Sequence, residues 1–159
     1  MPRLFALIAS LLCVVLLAAC GGGDDEKDKP DPARYRAEIT RISNEFATAG
    51  RGFRDSVSAQ SSPQQAAAAL EGFQTKVNSL TDEMDELGPP EKAERPHQDL
   101  SAAFREIAKA CQPSIDAGKA GDRAKLRTAL QALQAQLTGA LGNRAKVAAG
   151  EIDKALAAK

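Results

Sequence analysis

The sequence predicts an all-α fold, an antiparallel up-and-down four-helix bundle, and three observations carry the prediction. From Ala33 onward, apolar residues recur every three or four positions, the spacing of one helix face. No stretch alternates apolar and polar residues with β-branched enrichment, the pattern of a half-buried strand. The breaks between periodic segments are short and rich in Gly, Pro, Ser and Asp, and short connections favour antiparallel neighbours.

The first element is a leader. Leu4 to Leu17, LFALIASLLCVVLL, runs fourteen residues without a charge, preceded by Arg3 and followed by Ala18 and Ala19. As a helix it measures about 21 Å, short of the ~30 Å hydrocarbon core, so it suits a secretory signal peptide better than a permanent span. Leu17-Ala18-Ala19-Cys20 closes the run. This tetrad resembles the lipobox of bacterial lipoproteins, in which a leucine, two small residues and a cysteine end the signal peptide. The resemblance implies that residues 1–19 are cleaved and that Cys20, the new first residue, carries a diacylglycerol on its sulfur. Two or three acyl chains make a lasting anchor, because each buried CH₂ contributes ~0.8 kcal/mol and one chain alone binds only marginally.

Residues 20–32 follow as a tether. Gly21-Gly22-Gly23 and DDEKDKPDP contain no large apolar side chain and carry a net charge of −3, five acids against two lysines. Such a segment buries too little surface to offset the entropy of ordering, so a flexible spacer is expected.

The bundle itself is assigned to residues 33–159. Helix one carries Tyr35, Ile39, Ile42, Phe46, Ala49, Phe53 and Val57 on one face, interrupted by Gly50 and Gly52, which read as a bend, a close helix crossing or a hinge at a binding site. Helix two, expected over 63–87, has Leu70, Phe73, Val77, Leu80, Met84 and Leu87 alternating by threes and fours, a coiled-coil-like seam. Ser62, Pro63 and Gln65 make its capping box, Gly88 is the candidate left-handed cap, and Pro89-Pro90 forbids continuation. Helix three starts between Glu91 and Pro96 and reaches about Ala117, with Pro113 kinking its last turn or ending it early. Asp122 caps helix four, whose stripe runs Leu126, Leu130, Leu133, Leu137, Leu141, Ala145, Ala148, Ile152 and Leu156. Within it Gly139, Gly142 and Gly150 each disfavour helix by roughly 1 kcal/mol relative to alanine.

Composition limits the function classes. Without its leader the chain has twenty Lys/Arg against twenty-one Asp/Glu, a net charge of −1, which does not suit a nucleic-acid binder. The charge is uneven: residues 62–88 sum to −4 and residues 118–159 to +5, a pattern of solvated faces of differing sign, of fields that select helix neighbours, or of a basic face. With Cys13 in the leader and Cys20 acylated, Cys111 is left alone and no internal disulfide can form. Its place on the stripe Leu100, Phe104, Ile107 makes it a small buried hydrophobe rather than a reactive thiol.

Catalysis is not expected. Nucleophilic chemistry requires a base beside its nucleophile, and the one histidine, His97, lies in the polar stretch PPEKAERPHQDL, ~21 Å along a helix from Cys111. One histidine cannot build a His/Cys zinc site, and a second Glu-x-x-His pair to match Glu94 and His97 is missing. Met84 and His97 flank one short loop and so have the residue types of haem ligands, but Met84 already belongs to the seam of helix two. The acids of TDEMDELG, Thr81 to Gly88, point outward around a helix and lack the spacing of a calcium loop. No catalytic residue, metal or cofactor is therefore assigned, and Cys20 is the one functional residue.

The expected function is that of a membrane-anchored extracytoplasmic lipoprotein, a non-catalytic interaction or structural module of the cell envelope. Its partners are the membrane, through the lipid, and an envelope protein. LGPP followed by a charged turn and PHQDL resembles a pattern of small envelope lipoproteins of actinobacteria, and carries no activity with it. The alternative is a carrier that holds a lipid or other apolar small molecule between its helices, for which a continuous apolar cavity is the sign. Gly21 after Cys20 is no aspartate retention signal, so a host with two membranes would send the protein to the outer one.

Overall fold

The computed structural model describes residues 31–57 and 61–157. The leader, Cys20 and nearly all of the tether lie outside those residues. The described chain is all-α, with six helices: α1 (Pro32–Ser56), α2 (Pro63–Asp85), α3 (Glu94–Ala110), α4 (Gln112–Lys119), α5 (Arg123–Thr138) and α6 (Ala140–Ala157), plus a single 3₁₀ turn over 91–93. They form four rods, because α3 and α4 continue one another across Cys111 and α5 and α6 across Gly139.

Cross-helix contacts fix the directions. Arg41 of α1 pairs with Glu83 near the end of α2, while Phe53 stacks on Phe73 nearer its start, so the two helices are antiparallel. Asp85 then bonds Ser101 and Arg105 of α3, and Glu71 pairs with Lys119 of α4, so the third rod climbs back. Arg144 of α6 pairs with Asp99 and Glu106 of α3, and Arg36 at the start of α1 meets Asp153 near the end of α6, which closes the up-and-down bundle. Like α2, the fourth rod runs down.

Local signals explain most boundaries. Asp31 accepts the amide of Arg34 at 3.3 Å and Pro32 starts α1, one residue before the expected bundle boundary. Ser62 Oγ accepts from the Gln65 amide at 3.1 Å and Gln65 Oε1 accepts from the Ser62 amide at 2.8 Å, the expected capping box. Asp122 accepts from the Lys125 amide at 2.9 Å and starts α5.

Other boundaries depart from expectation. Helix α1 runs through Gly50 and Gly52, so neither interrupts it. Helix α2 stops at Asp85, two residues early, and Gly88 is not in the left-handed region. That conformation falls on Gly121 instead, at φ 72°. There the Asp122 amide donates to Ala117 O at 3.1 Å and the Gly121 amide to Gly118 O at 3.0 Å, a Schellman closure of α4. Pro113 ends α3 early, since its missing amide and its ring fit the first turn of a new helix and not the interior of an old one.

One main core runs through the bundle, with a small second cluster of Ala66, Ala117 and Leu126. Leu70, Val77, Leu80 and Met84 of the α2 seam are completely buried, as are Tyr35 and Ile42 of α1. Each such aliphatic side chain contributes roughly 1.5–3 kcal/mol by leaving water. The rods are held outside by ion pairs, chiefly Arg41 with Glu38, Glu45 and Glu83, and Lys76 with Glu45 at 2.6 Å. The acidic α2 therefore spends its charge on α1, α3 and α4. Most of the basic 118–159 segment lies across the bundle from it, with Lys119–Glu71 joining the two fields. The charge asymmetry does not select which rods are neighbours.

Candidate functional site

Cys20, the expected lipidation site, lies outside the described residues. The other residues singled out in the sequence fall inside the bundle. Cys111 is fully buried, its thiol donates to Ile107 O at 3.4 Å, and burial pushes its pKa up to about 11, all unlike a reactive thiolate.

His97 is not in a polar setting. It is 6% exposed, and its Nδ1 lies 2.8 Å from the Tyr35 hydroxyl, a partner 62 residues away across the core. Met84 is also fully buried. Among the described residues no three His, Cys, Asp or Glu side chains cluster tightly enough to hold a metal ion. Of the acids in the 81–88 run, Glu83 is engaged by Arg41 and Asp85 by Ser101 and Arg105.

Burial holds the His97 pKa below its ordinary 6.5, against a smaller opposing pull from Asp85. Below pH 6.5 the unfolded chain therefore takes up a proton that the folded chain refuses, so stability falls with pH and levels off below the folded pKa. Thermal unfolding at pH 7 and pH 5 should show a larger loss of Tm for the native chain than for His97→Gln. Carboxylates such as Glu45, whose pKa is lowered by Lys76 and then Arg41, titrate further down. Equal losses in the two proteins would refute the assignment.

A different site emerges between α1 and the fourth rod. Helix α1 packs broadly on α2 and only sparsely on α6, and the seam opens as two adjoining clefts of about 480 Å³ and 360 Å³. Gly50, Arg54, Phe73, Leu137 and Thr138 line both, so they are two ends of one groove. All four phenylalanines beyond the leader meet along it: Phe53 on Phe73 at 5.8 Å, Phe73 on Phe46 at 6.0 Å and Phe46 on Phe104 at 4.5 Å between ring centroids.

Three glycines shape this groove. At Gly50 a Cβ would stand 4.0 Å from both the Phe73 ring and the Arg54 guanidinium, so its absence leaves open the floor between them. At Gly139 a Cβ would lie 2.7 Å from Ala135 O, and at Gly142 it would sit on Leu137 O. Only residues without a Cβ tolerate this break between α5 and α6, and the break turns Leu137 and Thr138 into the groove wall.

The rim is cationic. Arg51, Arg54 and Lys146 border the larger cleft, and no Asp or Glu lines either one among the described residues. Arg51 donates to Thr48 Oγ1 at 2.9 Å, and none of the three cations forms an ion pair with a described acid. A second groove, between α3 and α6, is larger at about 890 Å³. Several of its charges pair with one another: Arg144 with Asp99 and Glu106, Lys154 with Glu151. Gly50 of α1 and Gly142 of α6 line the same cleft, a juxtaposition that only the bundle makes.

Among the described residues no helix is long and apolar enough to cross a membrane. No family model, curated protein or solved structure matches the chain.

Proposed function

We propose that this is a lipid-anchored extracytoplasmic protein of the cell envelope, a non-catalytic helical module tied to the membrane through Cys20. The supporting observation is the order of segments: a fourteen-residue apolar run, Leu17-Ala18-Ala19-Cys20, a polar tether, then a helix that starts at Pro32. Growth of the host with labelled palmitate tests it. The native protein should take up label and sediment with membranes, whereas Cys20→Ala should take up none; equal labelling of the two would reject the reading.

The groove favours a second reading, a carrier or binding protein for a lipid or other apolar small molecule. Its combined features, an aromatic floor within a cleft of a few hundred Å³ and few polar groups, are those of ligand pockets in general.

A further inference from the structure

We propose that the groove between α1 and the α5/α6 break binds one long-chain fatty carboxylate, its tail on the phenylalanine floor and its head among Arg51, Arg54 and Lys146; this rests on the carrier reading. The choice of occupant follows from shape and charge. The lining runs from Ser43 to Val57, roughly 21 Å along α1, the reach of one extended acyl chain. The two clefts meet end to end along α1, a path for one chain rather than for two side by side.

The larger cleft combines an apolar floor with a cationic rim. Phe46, Phe73, Phe104 and Leu100 offer a surface without hydrogen-bonding groups, where a tail loses its contact with water. Arg54 lies where the two clefts join, in the last turn of α1, with Arg51 one turn back and Lys146 opposite on α6. Three cations around an apolar slot, with no carboxylate lining it, repel one another until an anion arrives. Guanidinium and ammonium bonds to a carboxylate are among the stronger hydrogen bonds, and stronger still beside an apolar wall. A neutral apolar ligand gains nothing from this rim.

The test uses the entire chain from residue 20, carrying Cys20→Ser so that no detergent is present. It is titrated by fluorescence with cis-parinaric acid and, separately, with the methyl ester of that acid, which has the same tail and no charge. The acid should saturate one site and the ester should bind at least about tenfold more weakly, the scale of one charged hydrogen bond. Combined Arg51→Gln, Arg54→Gln and Lys146→Gln, all on exposed positions, should bring the acid down to the affinity of the ester. Gly50→Leu, which fills the slot from a helix surface with room for its Cβ, should abolish binding of both probes while circular dichroism stays unchanged.

Equal binding of acid and ester, indifferent to the glutamine substitutions, overturns the carboxylate assignment and leaves the carrier reading in place. Absence of binding by either probe overturns both. Binding that survives Gly50→Leu places the ligand elsewhere and also overturns the assignment. A dimer in native mass spectra that Gly50→Leu disperses would seat a second copy in the groove, with the same consequence.

Discussion

Gly142→Ala is expected to destabilise the bundle by about 2–3 kcal/mol, although alanine is the better helix former by ~1 kcal/mol. The reason is the break at Gly139. Where α5 ends, the chain swings so that the Leu137 carbonyl oxygen occupies the space a Cβ at 142 would take. Relief requires α5 and α6 to straighten, which pulls Ile152 and Ala148 off the core they now enter. Gly150, in the same helix, has nothing within 4 Å of a built Cβ. Gly150→Ala should therefore stabilise by roughly 0.5–1 kcal/mol, and urea unfolding of the two variants should give opposite signs. Two shifts of the same sign would mean that propensity, and not the break, governs this rod.

Gly118→Ala should cost about 2 kcal/mol, a fall in Tm of roughly 6–12 °C for a bundle of this size. Here the obstacle lies on another helix. A Cβ at 118 would come within 2.7 Å of Pro63 O and 2.8 Å of Ala67 Cβ, so α4 and the first turn of α2 must part. Backbone carbonyls cannot rotate aside as a long side chain can. The displaced region includes Ser114, whose buried hydroxyl has no described partner, and Ala66, Ala117 and Leu126, which pack as a small separate cluster. Gly72→Ala, on an open face of α2, is the matched control and should be neutral or stabilising. A Gly118→Ala protein as stable as the native one would show that the two helices have slack at their crossing.

Much of this bundle is legible in the sequence because its signals are local. The α2 seam and the Ser62 box lie within one helix and act over three or four residues, so spacing alone reveals them. Pro113 likewise announces a break through its own missing amide. Long-range geometry is not legible in that way. Gly139, Gly142 and Gly150 look alike in sequence, and only the swing of the chain separates the two that must be glycine from the one that need not. His97 reads as polar because its neighbours in sequence are polar, while the residue that buries and bonds it, Tyr35, comes from the far side of the core. Gly88 followed by two prolines reads as a left-handed cap, yet α2 closes with the Glu86 and Leu87 amides donating to Asp82 O and Met84 O, so no positive φ is required.

The groove is hidden for the same reason. Its floor comes from α1, α2 and α3, its wall from the α5/α6 junction, and its cations from two helices far apart in the chain. What the sequence does contain is four phenylalanines in an otherwise alanine-rich body, and their convergence on one seam concentrates the aromatic surface there.

The proposed anchor would place the bundle at a membrane, and the intact mass of the protein purified from its host's membranes tests it most directly. A chain that begins at Cys20 and carries the added mass of a diacylglycerol, with or without a further acyl group, is the predicted species. A chain that still starts at Met1, or that starts at residue 20 with a bare thiol, contradicts it.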